Sequence, residues 1–275
     1  MISLRNLFIM TASWYLRKTN NYSKLYRFIQ CCNLLMGIGT GAGVETSGEL
    51  GAMKRALEKL PSKITIFDVG ANKGQYASLL AKNIDEKDVD LHCFEPSKTA
   101  FSIIKNKIDS INILNVKVNN FALGKKQEDR TLWSNEFGSG LASLTKRRLD
   151  HLSIDFSCNE QVHVNTIDNY CKNNDINHIH ILKIDTEGHE LDVLAGAKNM
   201  FSQHAVDFVQ FEFGGCNIDT RTYVQDFFYF FNEYGFTIHL ITPSGYCMPM
   251  EHYQEWDEKF ITTNYIAVSR KFMPI

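Results

Sequence analysis

No run in this sequence is long and apolar enough to read as a membrane-spanning helix. The uncharged stretch between Arg27 and Glu45 is rich in glycine and falls short of the ~20 apolar residues that a span requires. A signal-peptide layout is also missing: the uncharged stretch 6–16 is short, contains Thr, Ser and Trp, and has no small-residue cleavage site after it. The seven cysteines show no C-x-x-C spacing, and an odd number with an adjacent Cys31-Cys32 pair fits neither a disulfide framework nor a zinc ribbon. A reducing cytosol is the expected home. Basic excess is lacking too, since a net charge of −2 provides no field for nucleic acid. Residues 1–44 contain no acidic residue, yet they carry Arg5, Arg17, Lys18, Lys24 and Arg27, which leaves the remainder at −7. Together with Leu7, Phe8, Trp14, Tyr15 and Leu16, this basic segment has two readings. It is either a peripheral contact with an anionic membrane surface or a set of helices packed on the sheet's edge or on a second subunit of a homodimer.

What is present is enough for a large core. A chain of 275 residues with 44% hydrophobic content suits one α/β domain with an appended segment, divided here into a helical extension over 1–60 and a main domain over 61–275. After the first helices, 37–43 is a glycine-rich loop, and Ser47-Gly-Glu49 starts a helix that runs through Met53 and Leu57 to the break at Pro61. Strand and helix then alternate, with strands over 64–69, 90–95 and 113–121 and helices over 75–84 and 98–108. The segment 125–166 reads as β-hairpin material, with strands 130–133 and 161–165 around the loop 138–143. As an insertion it is placed to lie over the sheet's carboxyl edge as a lid. Alternation resumes with helix 167–173, strand 180–185, helix 189–200, strand 207–212, an aromatic helix 223–234 and a closing pair, 237–241 and 264–268. Residues 243–254 read as a loop. The total is a seven-stranded, mostly parallel sheet with helices on both faces, of the Rossmann-like kind.

The most informative stretch is Ile64-Thr-Ile-Phe-Asp-Val-Gly-Ala-Asn-Lys-Gly-Gln-Tyr76, a buried strand that runs into a turn with glycine at Gly70 and Gly74 and then into a helix from Gln75. Leu91-His-Cys-Phe-Glu-Pro96 follows one βα unit later and ends in Glu95, where a carboxylate can accept from both hydroxyls of a ribose. A dinucleotide site usually has G-x-G-x-x-G, but here Asn72 takes the middle glycine's place and would crowd a diphosphate. The turn therefore suits a phosphate-free adenosyl ligand such as S-adenosylmethionine. Its amino-acid end would meet Asp68, Asn72 and the turn amides, its ribose Glu95, and its adenine Asn120 and Phe121 at the end of strand three. A nicotinamide-dependent oxidoreductase is the less favoured alternative.

Phe67-Asp-Val-Gly-Ala-Asn-Lys-Gly-Gln75, Phe94-Glu-Pro-Ser97, Asn120-Phe-Ala-Leu-Gly124, Val164-Asn-Thr-Ile-Asp168, Leu182-Lys-Ile-Asp-Thr-Glu-Gly-His-Glu190 and Phe211-Glu212 resemble, in order, the motifs of FkbM-type methyltransferases. The resemblance covers about 62–270. It implies a class I methyltransferase fold and S-adenosylmethionine-dependent O-methylation of sugar, glycan or natural-product hydroxyls. On those motifs, the cofactor-binding residues are Asp68, Gly70, Asn72, Gly74, Gln75, Glu95, Pro96, Ser97, Asn120, Phe121 and Ala122.

Methyl transfer is an in-line displacement, so the protein's work is alignment, exclusion of water and removal of the hydroxyl proton. Asp185 or His189 is expected as base, with Glu187 and Glu212 positioning substrate hydroxyls and Glu190 capping the following helix. As a secondary reading, Asp185 and Glu212 end adjacent strands and could share a divalent ion, magnesium by its oxygen ligands, with Glu187 or His189, although no compact ligand spacing demands it. The alternative to an enzyme is a catalytically silent module that binds S-adenosylmethionine as a scaffold in glycan assembly.

Overall fold

A computed structural model describes residues 4–17, 19–41, 43, 46–84, 87–108 and 115–275. The chain opens with α1 (Leu4–Leu16), α2 (Thr19–Met36) and α3 (Glu49–Lys59). Next come β1 (Lys63–Val69), α4 (Gln75–Ala81), β2 (Asp88–Phe94), α5 (Lys98–Lys107) and β3 (Asn115–Asn119). β4 (Ala122–Leu123), β5 (Glu128–Ser134) and β6 (Cys158–Asn165) form the insertion. They are followed by α6 (Ile167–Asn173), β7 (Ile179–Ile184), α7 (Glu190–Ala195), α8 (Lys198–Ser202), β8 (Val206–Phe213) and α9 (Cys216–Thr220). α10 (Val224–Glu233), β9 (Phe236–Ile241), β10 (Cys247–Pro249) and β11 (Thr263–Ser269) complete the chain.

The main sheet runs β10-β9-β11-β8-β7-β1-β2-β3. β1 is parallel to both β2 and β7, so the chain winds outward in both directions from the β1/β7 boundary. Their carboxyl ends open a crevice at that switch point, where ligands of doubly wound sheets bind. β11 inserts antiparallel between β8 and β9, as the late hairpin pattern leads one to expect.

Three expectations need correcting. The sheet has eight strands, because β10 pairs antiparallel with β9 inside the stretch read as a loop. Pro249 argues against a strand in sequence but is tolerated here on the sheet's edge. The helix expected over 189–200 is two, α7 and α8. A Cβ at Gly196 would overlap the Gly124 carbonyl oxygen, and the Asp168 carboxylate accepts from the Asn199 and Met200 amides to start α8 afresh. Strand three ends at Asn119, and its expected start at 113–114 lies outside the described residues.

The core lies on both faces of the sheet. On one face Phe211 stacks on Phe227 at 4.8 Å and 8°, with Phe213 and Phe231 beside them. The aromatic helix α10 thus turns Phe227 and Phe231 inward, each contact adding about 0.5–1.5 kcal/mol beyond area burial. On the other face Ala52, Met53, Ala56 and Leu57 of α3 pack among Ile64, Ile66 and Ile266, so the end of the amino-terminal extension shares the main core.

Candidate active site

The turn after β1 is built by backbone constraints that its residues satisfy. Gly70, Asn72 and Gly74 all adopt positive φ (82°, 47° and 75°), a region open to glycine and next most readily to Asn. A Cβ at Gly70 would overlap the Asp185 carbonyl oxygen, so this glycine lets the turn lie directly on the end of β7. Glu95 ties the neighbouring loops together: one carboxylate oxygen accepts from the Asn72 amide and the other from the Ser97 amide, both at 2.8 Å. Burial pushes its carboxyl up to about 7 against those two hydrogen bonds. The Asn120 side chain donates to the Glu95 and Pro96 carbonyl oxygens, closing the third loop onto the second.

A cavity of about 1220 Å³ opens over these carboxyl ends, larger than the ~300–1,000 Å³ of a usual small-molecule pocket and so able to hold two ligands. In its wall the buried Asp68 Oδ2, Asn72 Oδ1 and Tyr76 hydroxyl have no hydrogen-bond partner. Unpaired buried polar atoms are costly, and a ligand's amino-acid end would satisfy all three. Burial pushes the Asp68 carboxyl up to about 7, with Lys183 pulling the other way. Of the expected cofactor residues, Asp68, Gly70, Asn72, Gln75, Glu95, Pro96 and Ala122 line the cavity. Gly74, Ser97, Asn120 and Phe121 stand behind it. Gly74 backs onto Ile104, and Phe121 packs against Phe94 and Tyr170 rather than presenting a bare face for adenine.

Elsewhere in the same cavity carboxylate oxygens of Asp185, Glu187 and Glu212 lie within 4.8 Å of one another. This spacing would also suit a divalent cation with oxygen ligands. Burial, and then the charge of Asp185, push the Glu187 carboxyl up to about 8 and that of Glu212 well above the usual range. Lys183 sits beneath, buried, with Nζ 3.1 Å from Asp185 and 3.6 Å from Glu49. Burial alone would lower the lysine, but Asp185, Glu49, Glu212 and Asp68 outweigh it and hold the ammonium above its ordinary range. Glu49 is fixed in turn by Gln210 Nε2 at 2.6 Å and Ser47 Oγ at 2.9 Å. His189 is engaged on both ring nitrogens, by Asp192 at 2.9 Å and the Thr145 hydroxyl at 3.0 Å. Glu190 accepts from the Thr186 and Gly188 amides, so its carboxylate ties down the loop before α7 rather than capping the helix as expected. The insertion covers this cluster: Ser143 donates to the Glu187 carbonyl at 2.8 Å, and Arg147 pairs with Glu187 and with Asp219 at 3.4 Å.

A family model described as the methyltransferase FkbM domain matches residues 68–238, which spans the turn, Glu95 and the carboxylate cluster. The chain belongs to the FkbM methyltransferase family. Its fold is accordingly that of class I methyltransferases. Among solved structures it is similar to the methyltransferase FkbM from Methylobacillus flagellatus KT, with 17% identity and a TM-score of 0.45 over 75% of this chain and 44% of that one. The chain thus spans less than half the length of the Methylobacillus protein. SMU.1697c from Streptococcus mutans, solved in complex with SAH, shares 11% identity with a TM-score of 0.44, covering 80% of this chain and 96% of that one. An rRNA methylase from Streptococcus thermophilus gives 11% and 0.42, covering 81% and 93%. No curated protein matches the sequence.

For an FkbM-family methyltransferase the implied methyl donor is S-adenosylmethionine, and the orphaned polar atoms beside the Asn72 turn fit it. Four site residues are not singled out by the sequence motifs: Lys183, Gln210, Arg147 and Tyr76. Lys183 offers the clearest signal, because a lysine inside an otherwise apolar parallel strand must find a buried partner. Arg147 lies in an irregular segment where no periodicity marks it.

Proposed function

We propose that this protein is an S-adenosylmethionine-dependent O-methyltransferase acting on a hydroxyl of a sugar, glycan or related small molecule. The observation that carries the reading is a single cavity lined by two unlike groups: the unpaired acceptor and hydroxyl atoms of Asp68, Asn72 and Tyr76, and three carboxylates within 4.8 Å of one another. When bound, the donor supplies an electrophilic methyl group, and its transfer to oxygen leaves SAH. The protein's part is to position the acceptor and accept its proton. Asp185, with one oxygen on Lys183 and its side chain open to the cavity, takes the hydroxyl proton as the new carbon–oxygen bond forms. Glu187 and Glu212, with raised carboxyls, hold neighbouring hydroxyls as hydrogen-bond donors or acceptors. His189 keeps Thr145 and the insertion over the site, which limits water.

A polyhydroxylated acceptor is supported by the density of carboxylates, which pair well with adjacent hydroxyls. The test is transfer of label from methyl-labelled S-adenosylmethionine to nucleotide-sugars, lipid-linked glycans and polysaccharides, with and without a chelator. Label in an ether linkage of a glycan fraction is expected. Label that appears only in RNA or on carbon would overturn the acceptor class, and donor binding without any transfer would favour a silent module. Loss of transfer on chelation would bring a divalent cation to the Asp185, Glu187 and Glu212 cluster.

A further inference from the structure

The helices α1 and α2 leave an unusual amount of apolar surface in water. On α2, Tyr26, Phe28, Leu34 and Leu35 are 63%, 65%, 49% and 78% exposed, and Met10 of α1 is 61% exposed. Monomeric soluble proteins seldom leave contiguous apolar surface of this kind without a use for it. At 3.6 residues per turn, Lys24, Phe28, Cys31 and Leu35 fall on one stripe, with Arg27 and Leu34 beside it. Basic and large apolar side chains therefore share a side of the helix. Lys24 and Arg27 are both exposed, and the sequence has no acidic residue anywhere in 1–44 against five basic ones. The side chains of Leu7, Phe8, Trp14 and Tyr15 lie outside the described ones.

We infer that the α1–α2 pair is a docking surface for an anionic lipid bilayer. Exposed apolar residues flanked by lysine and arginine, on a helix too polar to span, are what an interfacial helix needs: the apolar groups enter the acyl boundary while the cations meet lipid phosphates. Among the described residues no helix is long and apolar enough to cross a membrane, so the contact lies in the surface plane. Charge weighs against these helices packing on their own duplicates in a second copy, because a segment with five cations and no anion has nothing there to neutralise it. The pair is also firmly connected to the cavity. Ile38, just past α2, is buried in the main core, and the Gly39 and Gly41 amides both donate to the Thr262 carbonyl at 3.1 Å, while Gly41, Gly43 and Thr46 line the cavity. Docking would therefore hold the cavity's rim close to the bilayer.

The test sediments the purified 275-residue chain with vesicles of phosphatidylcholine alone or mixed with phosphatidylglycerol, without donor or acceptor, so its result is independent of the methyl-transfer reading. Binding to the anionic vesicles only, weakening as salt is raised, is expected. Lys24→Glu with Arg27→Glu should lower the partition coefficient by about tenfold or more. Phe28→Ser with Leu35→Ser should also release the protein, and both double variants should keep the wild-type unfolding midpoint because these side chains are exposed. Failure to bind either vesicle, equal binding to both, or a dimer in light scattering that Leu35→Ser dissociates would overturn the inference.

Discussion

Replacing Lys183 with methionine probes the electrostatic centre of the site. Its ammonium lies between Asp185 at 3.1 Å and Glu49 at 3.6 Å, and both its own side chain and that of Glu49 are within a few per cent of full burial. Removing one partner of a buried pair strands the other charge and typically costs about 3–5 kcal/mol. Asp185 is 38% exposed and water shares in screening it, which puts the expectation at the lower end, about 3 kcal/mol at pH 8. For a chain of this size that is a fall in Tm of roughly 5 °C. The loss should shrink toward about pH 5, because Asp68 and Glu212, whose carboxyls burial raises against the pull of Lys183, take up protons without it and escape the penalty. Glu49→Gln combined with Lys183→Met should recover part of the loss, with a coupling above about 1 kcal/mol in the double-mutant cycle. Urea unfolding followed by circular dichroism at the two pH values measures all of this. A loss below about 1 kcal/mol, or one that does not depend on pH, would refute the picture of Lys183 as the counter-charge beneath the carboxylates.

Two further outcomes are expected. Between the ordinary carboxyl range and about 7, the protein holds protons on Asp68, Glu95 and Glu187 that the unfolded chain has released, and the raised Glu212 acts in the same direction, so its stability should fall by several kcal/mol as pH rises from about 4.5 to 7. Urea midpoints that stay level or rise over that window would contradict the burial of these groups. Gly70→Ala places a Cβ on the Asp185 carbonyl oxygen at a φ of 82°, so it should lower stability by at least about 1–2 kcal/mol and reduce turnover further by shifting Asp185. Wild-type turnover in that variant would show that the turn does not need to lie against β7.

Much of this arrangement was legible in the sequence because it is local. The Gly70 turn, Glu95 at the end of β2 and the Asp185–Glu190 run each sit where a strand pattern stops, and the topology of parallel strands brings such ends together. What was not legible depends on contacts between distant segments. Glu49 reads as a helix start, yet it reaches Gln210 and Lys183 across the fold. Arg147 acquires its meaning only when the insertion folds back onto Glu187. β10 is three residues long with a proline, too little for a periodic signal. The break between α7 and α8 is set by Gly124 and Asp168, neither of them near Gly196 in sequence.

Calorimetric titration of SAH into the wild-type protein, Glu95→Ala and Asp185→Asn tests the account most directly, because it separates the residues assigned to the donor from those assigned to the acceptor. Saturable binding to the wild type is expected, with Asp185→Asn within a few-fold of it though unable to turn over, and Glu95→Ala weaker by about tenfold or more through loss of a hydrogen-bond acceptor and of its tie to the Asn72 and Ser97 amides. Absence of binding to the wild type, or an equal loss in both variants, would contradict the assignment of the Asn72 turn and Glu95 to the donor and of Asp185 to the acceptor.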